Sequence, residues 1–169
     1  MMKLINLIVI GFLMVFFLPS VSLATSGTGF VGANIGLDYL TGDDSDSALL
    51  YGGTVKYFFG DKIGIGINYN LAEHNDVDFK YLIGDLMFRV GDENNITYFA
   101  ASYGKVDLDF SAFGMDLETD FNVWGVGVGG FTVRENPGFG IGWDIKYLHP
   151  TDGGGDGIVQ AYISFGYSF

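Results

Sequence analysis

His74 and His149 are the only imidazoles, and there is no cysteine to serve as thiolate nucleophile or soft metal ligand. His149 with Asp152, or His74 with Asp76, is only a fragment of a histidine, carboxylate and serine constellation, and a lone loop histidine is normally a solvated side chain. Gly153-Gly154-Gly155 lacks the strand-to-helix context of a phosphate loop, and no zinc or nucleotide motif is present. No catalytic residue and no cofactor are therefore expected. The abundant chemistry is carboxylate. Asp43, Asp44 and Asp46 stand close together, but Asp43-Asp44-Ser45-Asp46 lacks the length and glycine spacing of an EF-hand, so at most a weak divalent-cation site is expected there.

A second set of charges sits inside otherwise apolar segments, and period-two reading explains why. Ile63, Ile65, Ile67, Tyr69 and Leu71 form one face of an extended segment opposite Gly64, Gly66, Asn68 and Asn70. Phe139, Ile141, Trp143, Ile145 and Tyr147 do the same opposite Gly140, Gly142, Asp144 and Lys146. Val31 to Tyr39 alternate with Asn34 and Asp38 on the polar side, and Tyr51 to Phe59 with Thr54 and Lys56. About eight such strands are expected, and period two this regular excludes a helical bundle.

Three strands are ambiguous in facing. Between Val77 and Val90, Val77, Phe79, Tyr81 and Ile83 share one face, while Leu82, Gly84, Leu86, Phe88 and Val90 continue better with Asp85, Met87 and Arg89 opposite. A bulge near Ile83 would reconcile them. From Ile96 to Leu108, Phe99, Ala101 and Tyr103 compete with Val106 and Leu108 for the apolar face, leaving Lys105 and Asp107 unassigned; in the next strand Trp124, Val126 and Val128 alternate with glycines.

Lys3 precedes an apolar run from Leu4 to Leu18, broken by Pro19 and followed by the small residues Ser22 and Ala24, the signature of a secretory signal cleaved after Ala24. Residues 25–169 are then one exported domain. The full chain's charge of −12, from 20 acidic and 8 basic residues, argues against nucleic acid as a partner. The last nine residues alternate again, with Ala161, Ile163, Phe165, Tyr167 and Phe169 on one side.

Such alternation fits a soluble sandwich or a membrane barrel. The strands are long enough to cross a bilayer at a tilt, where about 9 to 11 residues are needed. Their outer faces end in aromatics: Tyr39, Tyr51, Tyr69 and Tyr147 at one level, Phe59, Phe88, Tyr98, Phe139, Tyr167 and Phe169 at the other. Closure would also remove every edge. The expected fold is all-β, a closed antiparallel eight-stranded transmembrane β-barrel. Connections 41–48, 109–118 and 149–157 read as longer loops, with 60–62, 91–95 and 134–138 as short turns and 72–76 in between.

From Phe30 to Phe169 the chain resembles the small eight-stranded outer-membrane barrels, the family that includes the OmpA transmembrane domain and OmpX-like proteins. The glycine-rich W-G-V-G-V-G-G from Trp124 to Gly130 before a short turn, and the final Y-S-F, carry the likeness. The resemblance implies a cell outer-membrane protein with both termini in the periplasm, and Phe165, Tyr167 and Phe169 as the signal read by the assembly machinery. Lipopolysaccharide and outer-membrane lipid are the implied surroundings, and a monomer the implied state.

Asp38, Lys56, Asp85, Arg89, Asp144 and Lys146 then face the lumen, with Asn34, Thr54, Asn68, Asn70, Gln160 and Ser164. An eight-stranded barrel is just wide enough for its own side chains. Lys56 and Arg89 are expected to pair with Asp85, Asp38 or Asp144, since an unpaired buried ion is costly. The favoured function is a membrane scaffold or surface-interaction protein acting through acidic outer loops, where divalent cations would bridge carboxylates to anionic lipid. Two alternatives are a narrow solute conduit gated by Arg89 or Lys56 and, less favoured, a lipid A-modifying enzyme, whose His-x-Ser pair is replaced here by His149-Pro150-Thr151.

Overall fold

The computed structural model describes residues 27–42, 45–75, 77–90, 95–112, 115–132, 137–152 and 156–169. The signal segment 1–24 and its cleavage point, Asp43, Asp44 and Asp76 lie outside the described residues. Eight strands follow one another: β1 (Gly27–Leu40), β2 (Asp46–Phe59), β3 (Ile63–His74), β4 (Val77–Arg89), β5 (Asn95–Ala112), β6 (Met115–Thr132), β7 (Gly138–Pro150) and β8 (Ile158–Ser168). Each pairs antiparallel with its neighbours, and β8 returns to β1, closing the barrel. Gly27 and Phe169 lie at the same end, called proximal here; the opposite end is distal.

The apolar faces of β3 and β7 point outward, as alternation requires. Ile63, Ile65, Ile67, Phe139, Ile141 and Ile145 are exposed, and Tyr39, Tyr51, Tyr69, Tyr103, Trp124 and Tyr147 ring the belt on its distal side. A continuous apolar belt of this size is incompatible with water as its only surroundings. Tyr98 is the exception to the expected girdles: it is fully buried in the lumen, and its neighbour Phe99 takes the outward position.

The lumen is filled in three layers. At the proximal end Phe30, Phe58, Met87, Ile96, Tyr98, Ala100 and Phe131 pack together, with the Phe30 and Phe131 rings stacked at 5.1 Å. Charged and amide side chains fill the middle. Toward the distal end Ala48, Leu50, Ala72, Phe79, Tyr81, Ile83, Val106, Val123, Leu148 and Ile158 are buried.

This layering resolves the ambiguous strands. No bulge interrupts β4, whose register against β3 is unbroken from Ile63↔Phe88 to His74↔Val77. Phe79, Tyr81 and Ile83 simply face inward into the distal apolar layer, while Leu82, Leu86 and Phe88 face outward. β5 behaves alike: Phe99, Ala101 and Tyr103 are outside, Val106 is buried inside, and Lys105 is exposed rather than lumenal, beside Asp107. The expected loop 109–118 is mostly strand, because β5 and β6 stay paired from Asn95↔Thr132 to Ala112↔Met115. β7 reaches only to Val123↔Pro150, so the β5–β6 hairpin overhangs its neighbour. The first distal connection is also shorter than expected, with β2 starting at Asp46.

Candidate functional site

The middle layer is built by facing strands that each contribute one polar side chain per inward position. Lys56 of β2 reaches Asp144 of β7, and Lys146 of β7 reaches Asp85 of β4. Two ammonium groups meet two carboxylates, all essentially buried. The remaining lone pairs are also used. Tyr98 Oη donates to Asp144 Oδ1 at 2.6 Å, and Ser102 Oγ donates to Asp85 Oδ1 at 2.7 Å. Asn68 Nδ2 donates to Asp85 Oδ2 at 2.7 Å, while Asn68 Oδ1 accepts from Thr54 Oγ1 at 2.8 Å and Tyr162 Oη at 2.9 Å. The Lys56 ammonium also sits 5.3 Å from the Tyr98 ring centroid. Gly129 is required at this level: a Cβ there would lie 2.6 Å from Asp144 Oδ1 and 2.5 Å from Tyr98 Oη.

Beside this core, Asn34 Nδ2 donates to Asn70 Oδ1 at 2.9 Å, and Ser164 Oγ donates to Asn34 Oδ1 at 2.8 Å. Charge pairing of this kind holds the middle layer in one arrangement, because leaving one member of a buried ion pair alone is strongly unfavourable.

Asp38 belongs to a separate group. Among the described residues no lysine is paired with it; Tyr81 Oη donates to Asp38 Oδ2 at 2.6 Å and Gln160 Nε2 to Asp38 Oδ1 at 2.9 Å. His74 completes the group, with Nε2 2.8 Å from Asp38 Oδ2 and Nδ1 3.2 Å from Asp46 Oδ2. His74 is thus no solvated loop residue. It is 3 % exposed, ends β3 in phase with Asn68, Asn70 and Ala72, and rests edge-on against Phe79. That phase was the signal that would have placed it inside.

Asp46, a weak cation candidate in the sequence, makes hydrogen bonds within the protein. Its Oδ1 accepts from Ser47 N at 2.8 Å, and its Oδ2 accepts from Asn75 Nδ2 at 3.1 Å. Asn75 adopts φ 48°, a left-handed turn residue that brings its amide over Asp46. Among the described residues no three histidine or carboxylate groups are arranged to hold a metal ion.

Arg89 has the lumenal phase and is the last residue of β4, half-buried beyond Met87, where its backbone N donates to Lys62 O at 2.8 Å. His149 lies at the distal rim with its ring against Trp124 and Tyr147, and Asp152 meets Thr151 Oγ1 at 3.4 Å. Among the described residues neither histidine is assembled with a serine and a carboxylate. Phe165 and Tyr167 face outward, and Phe169 continues the β8–β1 seam through Phe169 N to Gly29 O at 3.0 Å and Gly29 N to Phe169 O at 2.6 Å.

Solved structures share this architecture. The N-terminal β-barrel domain of Pseudomonas aeruginosa OprF superposes with a TM-score of 0.64 at 16% identity, over 86% of this chain and 98% of that one. The chain has the fold of the small outer-membrane β-barrels. Ail, the attachment invasion locus protein of Yersinia pestis, gives 0.60 at 20% identity over 85% of this chain and 99% of its own. Neisserial surface protein A gives 0.66 at 11% identity over 83% and 95%. No protein-family model and no curated protein matches the chain by sequence.

Proposed function

We propose that the chain is an integral outer-membrane protein without catalytic activity, anchored by its barrel and acting through its acidic distal end. In this reading the proximal end, with Gly27 and Phe169, faces the periplasm, residues 1–24 are removed on export, and the barrel is a monomer surrounded by outer-membrane lipid and lipopolysaccharide. The observation that carries it is the filled lumen: two apolar layers enclose a polar layer whose ammonium groups are each held by a carboxylate. A conduit needs a hydrated path, and stacked apolar and ion-paired layers oppose one.

The distal end is where partners would bind. Asp46, Glu73, Asp78, Asp107, Asp109, Asp120, Asp152 and Asp156 lie there among the described residues. Lys80 and Lys105 are the described ammonium groups at that end; Asp109 engages the first, Asp107 and Asp120 the second. Ail has been solved with the heparin analogue sucrose octasulfate. A polyanion of that kind suits this chain poorly, because the carboxylates would repel it. Cationic surfaces, or anionic ones bridged by divalent cations, suit it better.

Reconstitution into planar bilayers tests the reading. The protein is expected to be silent; discrete conductance steps would instead establish the conduit.

A further inference from the structure

Above the distal apolar layer the barrel opens into a cup of about 410 Å³, lined by Leu40, Phe79, Leu108, Phe121, Pro150 and Ile158, with Thr41, Asp156 and Gly157 at its lip. These linings come from six strands or their ends and share the inward phase of their strands, so the cup is the barrel's own mouth. Its volume lies in the range of small-molecule sites, about 300 to 1,000 Å³. Its floor is fixed: Phe79 stacks on Tyr81 at 6.1 Å, and Tyr81 is tied to Asp38. Thr41 N donates to Gly157 O at 2.8 Å, and Thr41 Oγ1 donates to the same oxygen at 2.8 Å, which pins the lip. Gly42, at φ 126°, leaves the space that the Asp156 carboxylate occupies.

The chemistry of the lip is one-sided. Asp156 is exposed and, among the described residues, makes no hydrogen bond or ion pair, while Lys80 and Lys105 are already held by other carboxylates. We infer that the cup binds a single-tailed cationic amphiphile, with its alkyl chain on Leu40, Phe79, Leu108 and Phe121 and its ammonium head at Asp156. Apolar walls supply affinity without direction, and the Asp156 carboxylate at the lip supplies the choice of head group. An anionic amphiphile of equal tail would meet Asp156 and the surrounding carboxylates as like charges. The site depends on the barrel and not on the proposed orientation, which decides only the side of the membrane from which it is filled.

The protein in nanodiscs of zwitterionic phosphatidylcholine, open to solvent at both ends, is titrated with octyltrimethylammonium, octyl sulfate and tetramethylammonium while amide and methyl NMR signals are followed. Octyltrimethylammonium is expected to bind saturably at one site, shifting Leu40, Leu108 and Ile158, at least ten-fold more tightly than octyl sulfate and with no comparable response to tetramethylammonium. Asp156→Asn should lower the cation's advantage over octyl sulfate several-fold, leaving only the part that the other distal carboxylates contribute. Leu108→Asn should weaken both. Non-saturable partitioning equal to that of empty nanodiscs would overturn the inference, as would octyl sulfate binding as tightly as the cation or a head-group preference indifferent to Asp156→Asn.

Discussion

Each buried carboxylate in the middle layer is held by one ammonium group and by neutral donors. Removing one partner is therefore far worse than removing both. Lys56→Met should leave Asp144 with Tyr98 as its remaining donor and destabilise the barrel by about 3 to 5 kcal/mol, whereas Lys56→Met with Asp144→Leu should recover most of that loss. Urea titration of the vesicle-embedded protein measures both, and equal losses for single and double variants would mean that the pair contributes no charge coupling. His74→Phe should cost less, because Asp38 keeps Tyr81 and Gln160. Alternation and charge made Lys56, Asp85, Asp144 and Lys146 legible as lumenal, but not their pairing, because Lys56 meets a residue 88 positions away and only closure brings them together. His74 beside a turn looks solvated until its strand is extended by three residues, from Leu71 to His74.

Strand facing was legible wherever one face was wholly apolar, as in β3 and β7. It failed in β4 and β5, where the inward face is itself apolar near the distal end, so the apolar residues change sides without any change of register. The same filling alters what a mild lumenal substitution is. Asn68→Ser would be mild in a water-filled lumen, but Asn68 bridges Asp85, Thr54 and Tyr162, so a loss of about 1 to 3 kcal/mol is expected from the groups left unpaired. Ile65→Arg or Ile141→Arg, on the outward face, should cost about 2 to 4 kcal/mol in lipid. Refolding titrations on the same vesicles compare them, and a neutral Ile65→Arg would mean that this face does not meet hydrocarbon. Phe169→Asp acts on the seam with Gly29 and, if the last strand is also an assembly signal, should lower the yield of assembled protein in cells more than refolding into detergent.

At the scale of the molecule, a closed barrel joined through β8 and β1 should run faster unheated than boiled on denaturing gels and leave cell envelopes only with detergent. Recovery in the periplasmic soluble fraction would refute the membrane assignment. The outline of the barrel was readable from strand count and length. The overhang of β5 and β6 was not, because polar residues that look like loop can extend a hairpin as long as two strands hydrogen-bond each other.

The lumenal ion pairs have a further consequence, for how the sheet recognises itself. Strands β1 to β4 carry Lys56 and Asp85, and strands β5 to β8 carry Asp144 and Lys146. Each half is neutral in these groups, yet both bonds cross between halves. The two halves therefore hold complementary charge keys, positive to negative at one level and negative to positive at the other. Co-refolded fragments 27–90 and 95–169 should assemble on native gels, and Lys56→Asp in the first should block assembly until Asp144→Lys is placed in the second.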